Sequence, residues 1–195
     1  MYYFARFTVR LILLLLFRVR VKGIEHIPAK GSVIVCSNHI SNWDPTVIGC
    51  FLTRPVSFMG KEELFAFRPL GALLRSLHTF PIKRGTGDRG ALRVALEILK
   101  KGEVLVMFPE GTRKAGGTMQ TVERGIGFLA ARSEAAVLPV IIQGSYRIFR
   151  PLTLHIGNPF VLKAHDNGQR YTVEEATDRI GQQMRTLLKE TQFHD

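Results

Sequence analysis

His39 and Asp44, in the stretch Asn38-His39-Ile40-Ser41-Asn42-Trp43-Asp44-Pro45, are the pair in this chain best suited to moving a proton. A carboxylate bonded to one imidazole nitrogen fixes the tautomer and supports the imidazolium formed when the other nitrogen takes a proton. A helix would hold the two apart, because five steps do not return to one face. The residue before a proline avoids the helical region, so His39 to Asp44 reads as a turn that can fold the acid back onto the ring. Pro45 fits the first position of a helix starting there, with Asp44 as its N-cap. The competing reading is a capping aspartate next to an ordinary strand-end histidine.

Two further groups carry charge suited to a phosphate. Lys83 and Arg84 end the run His78-Thr79-Phe80-Pro81-Ile82, and Glu110 and Arg113 share the tight turn Phe108-Pro109-Glu110-Gly111-Thr112-Arg113. Arginine offers a planar fork to a pair of phosphate oxygens and lysine adds a point charge. No Ser or Cys stands beside His39 in a nucleophile elbow, so a hydroxyl of the substrate is the expected nucleophile. Taken singly, the cations could be a solvated strand end, and the Glu110–Arg113 pair a surface ion pair closing a turn.

The elements that must position these residues read as strands followed by loops. Ser32 to Ser37 is β-branched and apolar after the turn signal Lys30-Gly31. Similar runs cover Arg18–Lys22, Pro55–Gly60, the segment before Lys83, Glu103–Met107, Ala136–Ile142 and Thr153–Gly157. Helical spacing of Ala91, Leu92, Ala95, Leu96 and Leu99 follows Asp88, a cap residue, and stops at Lys101-Gly102. Another helix runs from about 123 to 133, where Gly125 and Gly127 permit close approach. Thr172-Val173-Glu174-Glu175 is a capping box opening a last helix. Alternating strands and helices predict an α/β fold: a single domain whose largely parallel central sheet is flanked by helices. The chemistry of such a sheet gathers at strand ends, where all three loaded loops fall.

The chain has 195 residues, 46% hydrophobic, with 27 Lys and Arg against 16 Asp and Glu for a net charge of +11. That field favours nucleic acid, an anionic bilayer or phosphorylated small molecules. The aromatic-basic stacking face or docking helix of a nucleic-acid binder is missing, so nucleic acid is not expected as a partner. Cys36 and Cys50 lie in apolar runs without metal-ligand spacing, consistent with a reduced compartment.

Residues 1–22 hold Arg6, Arg10, Arg18, Arg20 and Lys22 and no acid. The apolar run Leu11–Phe17 has seven residues, where a spanning helix needs about 20. No small-residue cleavage site follows, which argues against a secretory signal. Residues 1–17 are expected to form a membrane-interface helix ahead of a catalytic domain over 18–195, with Tyr2, Tyr3, Phe4 and Phe7 at headgroup depth and the arginines toward lipid phosphates. A first helix docked on the core with exposed arginines is the alternative.

Four blocks in this order resemble the glycerolipid acyltransferases related to 1-acyl-sn-glycerol-3-phosphate acyltransferase. Asn38-His39 through Asp44 is similar to that family's N-H-x-x-x-x-D signature, and Phe80-Pro81-Ile82-Lys83-Arg84 to its second block. Phe108 to Arg113 reproduces its F-P-E-G-T-R block, and Leu138-Pro139-Val140-Ile141-Ile142 is similar to the fourth. The resemblance spans roughly residues 20 to 160. It implies that His39 deprotonates the free sn-2 hydroxyl of lysophosphatidic acid, that Asp44 orients it, and that the oxygen attacks acyl-CoA or acyl carrier protein to give phosphatidic acid. Arg84 and Arg113 would hold the phosphate, with Lys83, Glu110, Gly111 and Thr112 completing the acceptor site and Pro139 and Val140 lining the acyl site. No metal or prosthetic group is implied, and the setting would be peripheral or monotopic on the cytoplasmic face of the cell membrane. Bacterial members often carry Asp where Lys83 stands, and the extra cation favours a phosphate-bearing acceptor. The alternatives are a sibling acting on glycerol 3-phosphate, another lysophospholipid or an ornithine lipid, and a non-catalytic basic protein binding membranes or nucleic acid.

Overall fold

Val33 and Val35 point to one side of their strand and Ile34 and Cys36 to the other, and all four are fully buried. A strand apolar on both faces must be covered on both, which is the condition of a parallel sheet inside an α/β layer structure. A computed structural model, describing residues 2–83, 88–110, 122–162, 164 and 168–192, shows this arrangement.

Among the described residues, eight strands form one sheet: β1 (Arg18–Lys22), β2 (Val33–Ser37), β3 (Val56–Lys61), β4 (Thr79–Ile82), β5 (Val104–Met107), β6 (Ala136–Gly144), β7 (Pro151–Ile156) and β8 (Phe160–Val161). Their order is β1-β7-β6-β2-β5-β3-β4, with β8 also paired to β6. The five strands from β6 to β4 run parallel, while β7 and β8 lie antiparallel to β6 and β1 lies parallel to β7. The loops after β2, β4, β5 and β6 therefore emerge at one end of the sheet. The start of β1 lies at that end too, because β1 runs the opposite way.

Among the described residues, six α-helices cover the sheet: α1 (Tyr2–Leu16), α2 (Asp44–Phe51), α3 (Arg68–Ser76), α4 (Arg89–Lys100), α5 (Arg124–Arg132) and α6 (Val173–Gln192). Leu13 and Phe17, at the end of the first helix, and Val47, Ile48 and Phe51 of α2 pack with Val33 and Val35 on one face. Ala95 and Leu99 of α4, Ile126 and Leu129 of α5, and Ile180 and Met184 of α6 pack with Ile34 and Cys36 on the other. The expected caps form. Asp88 accepts from the Ala91 N–H at 3.0 Å, and Thr172 and Glu175 exchange the reciprocal bonds of a capping box. Close packing of α5 on α6 depends on Gly127, where a Cβ would collide with the Thr177 hydroxyl. Gly125, one turn-face away, has only Leu92 nearby at 3.8 Å.

The first helix is docked and exposed at once. Tyr2 stacks on His78 with ring centroids 4.7 Å apart, and the Arg6 guanidinium donates to the carbonyls of Cys50 and Leu52 at the end of α2. Arg6 thus serves the protein at a helix C-terminus, where a cation is favourable, and does not turn toward lipid as expected. Tyr3, Phe4, Phe7, Leu11, Leu14 and Leu15 remain exposed. No helix among the described residues is long and apolar enough to cross a membrane.

Candidate active site

The turn between β2 and α2 brings the acid back to the ring. His39 Nδ1 lies 2.7 Å from Asp44 Oδ2, with the Asp44 side chain wholly buried and that of His39 11% exposed. The same oxygen accepts the Ile40 N–H at 2.6 Å and the Ser41 N–H at 2.8 Å. The other carboxylate oxygen accepts the Tyr146 O–H at 2.6 Å. A buried carboxylate needs such partners to remain tolerable away from water. With a carboxylate on Nδ1, that nitrogen carries the hydrogen and Nε2 keeps the lone pair a general base needs.

One detail differs from the sequence expectation. The N-cap of α2 is Trp43, and Asp44 is the first helical residue. Its carboxylate caps nothing in its own helix; it closes the preceding turn through Ile40 and Ser41, which is the function a helix cap would have competed with.

Three residues with no assigned role in the sequence reading hold the pair in place. The Asn38 amide bonds Ile142 twice, its Nδ2 donating to the carbonyl at 2.9 Å and its Oδ1 accepting the N–H at 2.7 Å. This side chain continues the β2–β6 ladder by one step and fixes the direction in which the chain leaves for His39. Phe108, after β5, stacks on the imidazole with centroids 4.3 Å apart and planes 24° from parallel. Tyr146, after β6, reaches Asp44 from 102 residues away. Burial, then the Asp44 hydrogen bond and charge, push the Tyr146 phenol far above its ordinary value, so it stays a donor at any physiological pH.

An apolar groove of about 470 Å³ opens beside His39. Its walls are Ala5 and Val9 of α1, Gly49 and Cys50 of α2, and Leu74 of α3 with Leu77 just beyond; Phe58 and Met59 of β3 line it from the sheet. The size and lining suit an extended hydrocarbon chain. Pro139 and Val140, expected in an acyl site, are buried in β6 and are not among the residues lining this groove. Their apolar run is core because β6 is an inner strand covered on both faces.

The remaining expected residues divide by position. Lys83 follows β4 at the loaded end of the sheet, its backbone N–H bonded to Asp88 at 2.9 Å and its ammonium 3.9 Å from Glu62 in an exposed pair. Those hydrogen bonds, from Lys83 first and then Ala91, hold the Asp88 carboxyl below the usual range. Glu110 is buried after β5, and the Glu123 N–H closes onto the Pro109 carbonyl at 2.7 Å. Arg84, Gly111, Thr112 and Arg113 lie outside the described residues. Among the described residues no group of three or more His, Cys, Asp or Glu is placed to hold a metal ion.

A family model described as Acyltransferase matches residues 18–143. The 1-acyl-sn-glycerol-3-phosphate acyltransferase of Bacillus subtilis is 30% identical over 146 residues, 74% of this chain and 72% of its own length. A lyso-ornithine lipid O-acyltransferase of Pseudomonas aeruginosa is 35% identical over 139 residues, 71% of this chain and 51% of its own. The crystal structure of the 1-acyl-sn-glycerophosphate acyltransferase PlsC from Thermotoga maritima superposes with a TM-score of 0.71 at 24% identity, over 96% of this chain and 80% of that one. That likeness is one of fold.

Proposed function

We propose, for a chain that belongs to the acyltransferase family, that it moves an acyl group from a thioester to the free hydroxyl of lysophosphatidic acid at a membrane surface. The observation that carries this reading is a histidine–carboxylate pair at 2.7 Å set beside an apolar groove. His39 Nε2 takes the hydroxyl proton, and the oxygen bonds to the thioester carbonyl carbon. The adduct collapses, the C–S bond breaks, and the thiolate leaves with the proton that the imidazolium returns. The products are an ester and a free thiol, and the step balances with alcohol and thioester alone. Asp44 is a positioning residue that stabilises the imidazolium, and Phe108 stacked on the ring restricts its rotation.

The acyl chain lies in the groove between α1, α2 and α3, which places its carbonyl at the His39 end. The acceptor phosphate is bound by Lys83 with Arg84 and Arg113, and Glu110 supports that loop. Acyl-CoA or acyl carrier protein is the donor. The exposed apolar face of the first helix supports attachment to the cytoplasmic face of the membrane without crossing it. A second reading, an ornithine-lipid acceptor, draws on the 35% identity to the lyso-ornithine lipid O-acyltransferase of Pseudomonas aeruginosa, against 36% to that organism's 1-acyl-sn-glycerol-3-phosphate acyltransferase.

An acceptor and donor panel tests this. Thiol release is measured with lysophosphatidate, glycerol 3-phosphate and lyso-ornithine lipid, each with acyl-CoA and with acyl carrier protein. Lysophosphatidate is expected to give the highest kcat/KM. Preference for the ornithine lipid would select the second reading, and no thiol release with any pair would reject acyl transfer.

A further inference from the structure

The turn between β6 and β7 holds two large apolar side chains in water. Ile148 is 61% exposed and Phe149 66% exposed, and the arginines flanking them, Arg147 and Arg150, are exposed as well. Phe149 also has φ 62, a left-handed conformation that a bulky side chain rarely adopts. Strain of this kind persists when surrounding structure enforces it. Here the Phe149 N–H donates to the Leu16 carbonyl at 2.8 Å and the Arg150 N–H to the Arg147 carbonyl at 3.0 Å. The chain thus fixes a strained residue whose side chain stays mostly exposed.

We propose that Ile148 and Phe149 form a second membrane-inserting wedge, whose partner is a bilayer containing anionic lipid. Two observations select that partner. The Phe149–Leu16 hydrogen bond joins the turn to the end of α1, where Leu14 and Leu15 are exposed, so two exposed apolar segments are tethered to each other. Arg147 and Arg150 then stand where phosphate headgroups would be, on a chain of net charge +11. The inference rests on the proposed attachment of α1 to the membrane and extends it to a surface 130 residues further along. It also has a consequence for the site. Tyr146, at the root of this turn, donates to Asp44 and packs edge-on against Phe17 with centroids 5.7 Å apart. The wedge would therefore anchor to the lipid surface the same turn that holds the histidine pair's carboxylate.

The test uses the full chain and vesicles of phosphatidylethanolamine and phosphatidylglycerol. The double variant Ile148→Ser/Phe149→Ser is expected to lower the vesicle partition coefficient on the order of tenfold or more, while thiol release with a short-chain lysophosphatidate dissolved below its micelle concentration is unchanged. A partition coefficient within twofold of the wild type overturns the wedge. A direct readout places the probe itself: Phe149→Trp in a Trp43→Phe background, Trp43 being the sole native tryptophan. On vesicle binding its emission should shift to the blue and be quenched by brominated lipids. Vesicle binding without quenching overturns the wedge and leaves attachment by α1 standing; no vesicle binding by the wild type overturns both, and acyl transfer to the dissolved acceptor would then still be measurable.

Discussion

Asp44 accepts four hydrogen bonds, from the His39 ring, two backbone N–H groups and the Tyr146 hydroxyl. Tyr146→Phe removes one donor from this buried charge and leaves the ring untouched, which should cost about 1.5–3 kcal/mol of stability by urea titration. The raised phenol adds an alkaline signature. A group whose folded pKa lies above its unfolded value contributes stability that is complete below about pH 10 and lost as pH rises through the folded value. Wild-type stability should therefore fall more steeply above pH 10 than that of the variant; parallel slopes would contradict the assignment of Tyr146. Of these residues His39 and Asp44 were readable from spacing and from the proline that follows. Tyr146 was not, because nothing local joins it to a residue 102 positions earlier. Only the placement of its turn at the same sheet end as the loop after β2 could have marked it.

At the scale of elements, the two glycines of α5 show why spacing alone is a weak guide to packing. Both read as small residues permitting close approach, yet only Gly127 meets α6. An alanine there would press on the Thr177 hydroxyl and approach the Val173 carbonyl within 2.6 Å. Helix propensity would favour the alanine by up to about 1 kcal/mol, while forced separation of two packed helices costs about 1–3 kcal/mol. Gly127→Ala should be net destabilised in thermal melts, and Gly125→Ala, with ordinary contact distance to Leu92, should be neutral or stabilised by about 0.5–1 kcal/mol. Equal effects would remove the distinction. The strands were legible where β-branched residues run between turn signals, as from Val33 to Ser37, and the caps at Asp88 and Thr172 followed from residue type. The antiparallel direction of β7 carries no local signal, since it depends on the turn geometry after Gly144. The two-residue β8 is too short to show a period. The block around Pro139 carries no local signal for a related reason: an apolar run looks alike whether it lines a ligand or a sheet interior.

For the molecule as a whole, the strand order gathers the loops after β2, β4, β5 and β6 and the end of α1 at one edge. Three of these were foreseen from the alternation of strands and helices. The double role of the first helix was not, because a helix apolar on two sides reads equally as core or as interface. Its inner side supplies a wall of the groove, and its outer side stays exposed. On the proposed function, acyl chain, histidine pair and lipid surface would share one end of a single domain, and a lipid acceptor would meet the base without leaving the membrane surface. All turnover would then pass through one imidazole. The most direct measurement is kcat/KM for thiol release by His39→Ala with lysophosphatidate, taken beside its vesicle binding and its melting temperature. A loss of roughly 10²–10⁴-fold with binding and folding retained is the expected result. Turnover within a few-fold of the wild type would contradict His39 as the base.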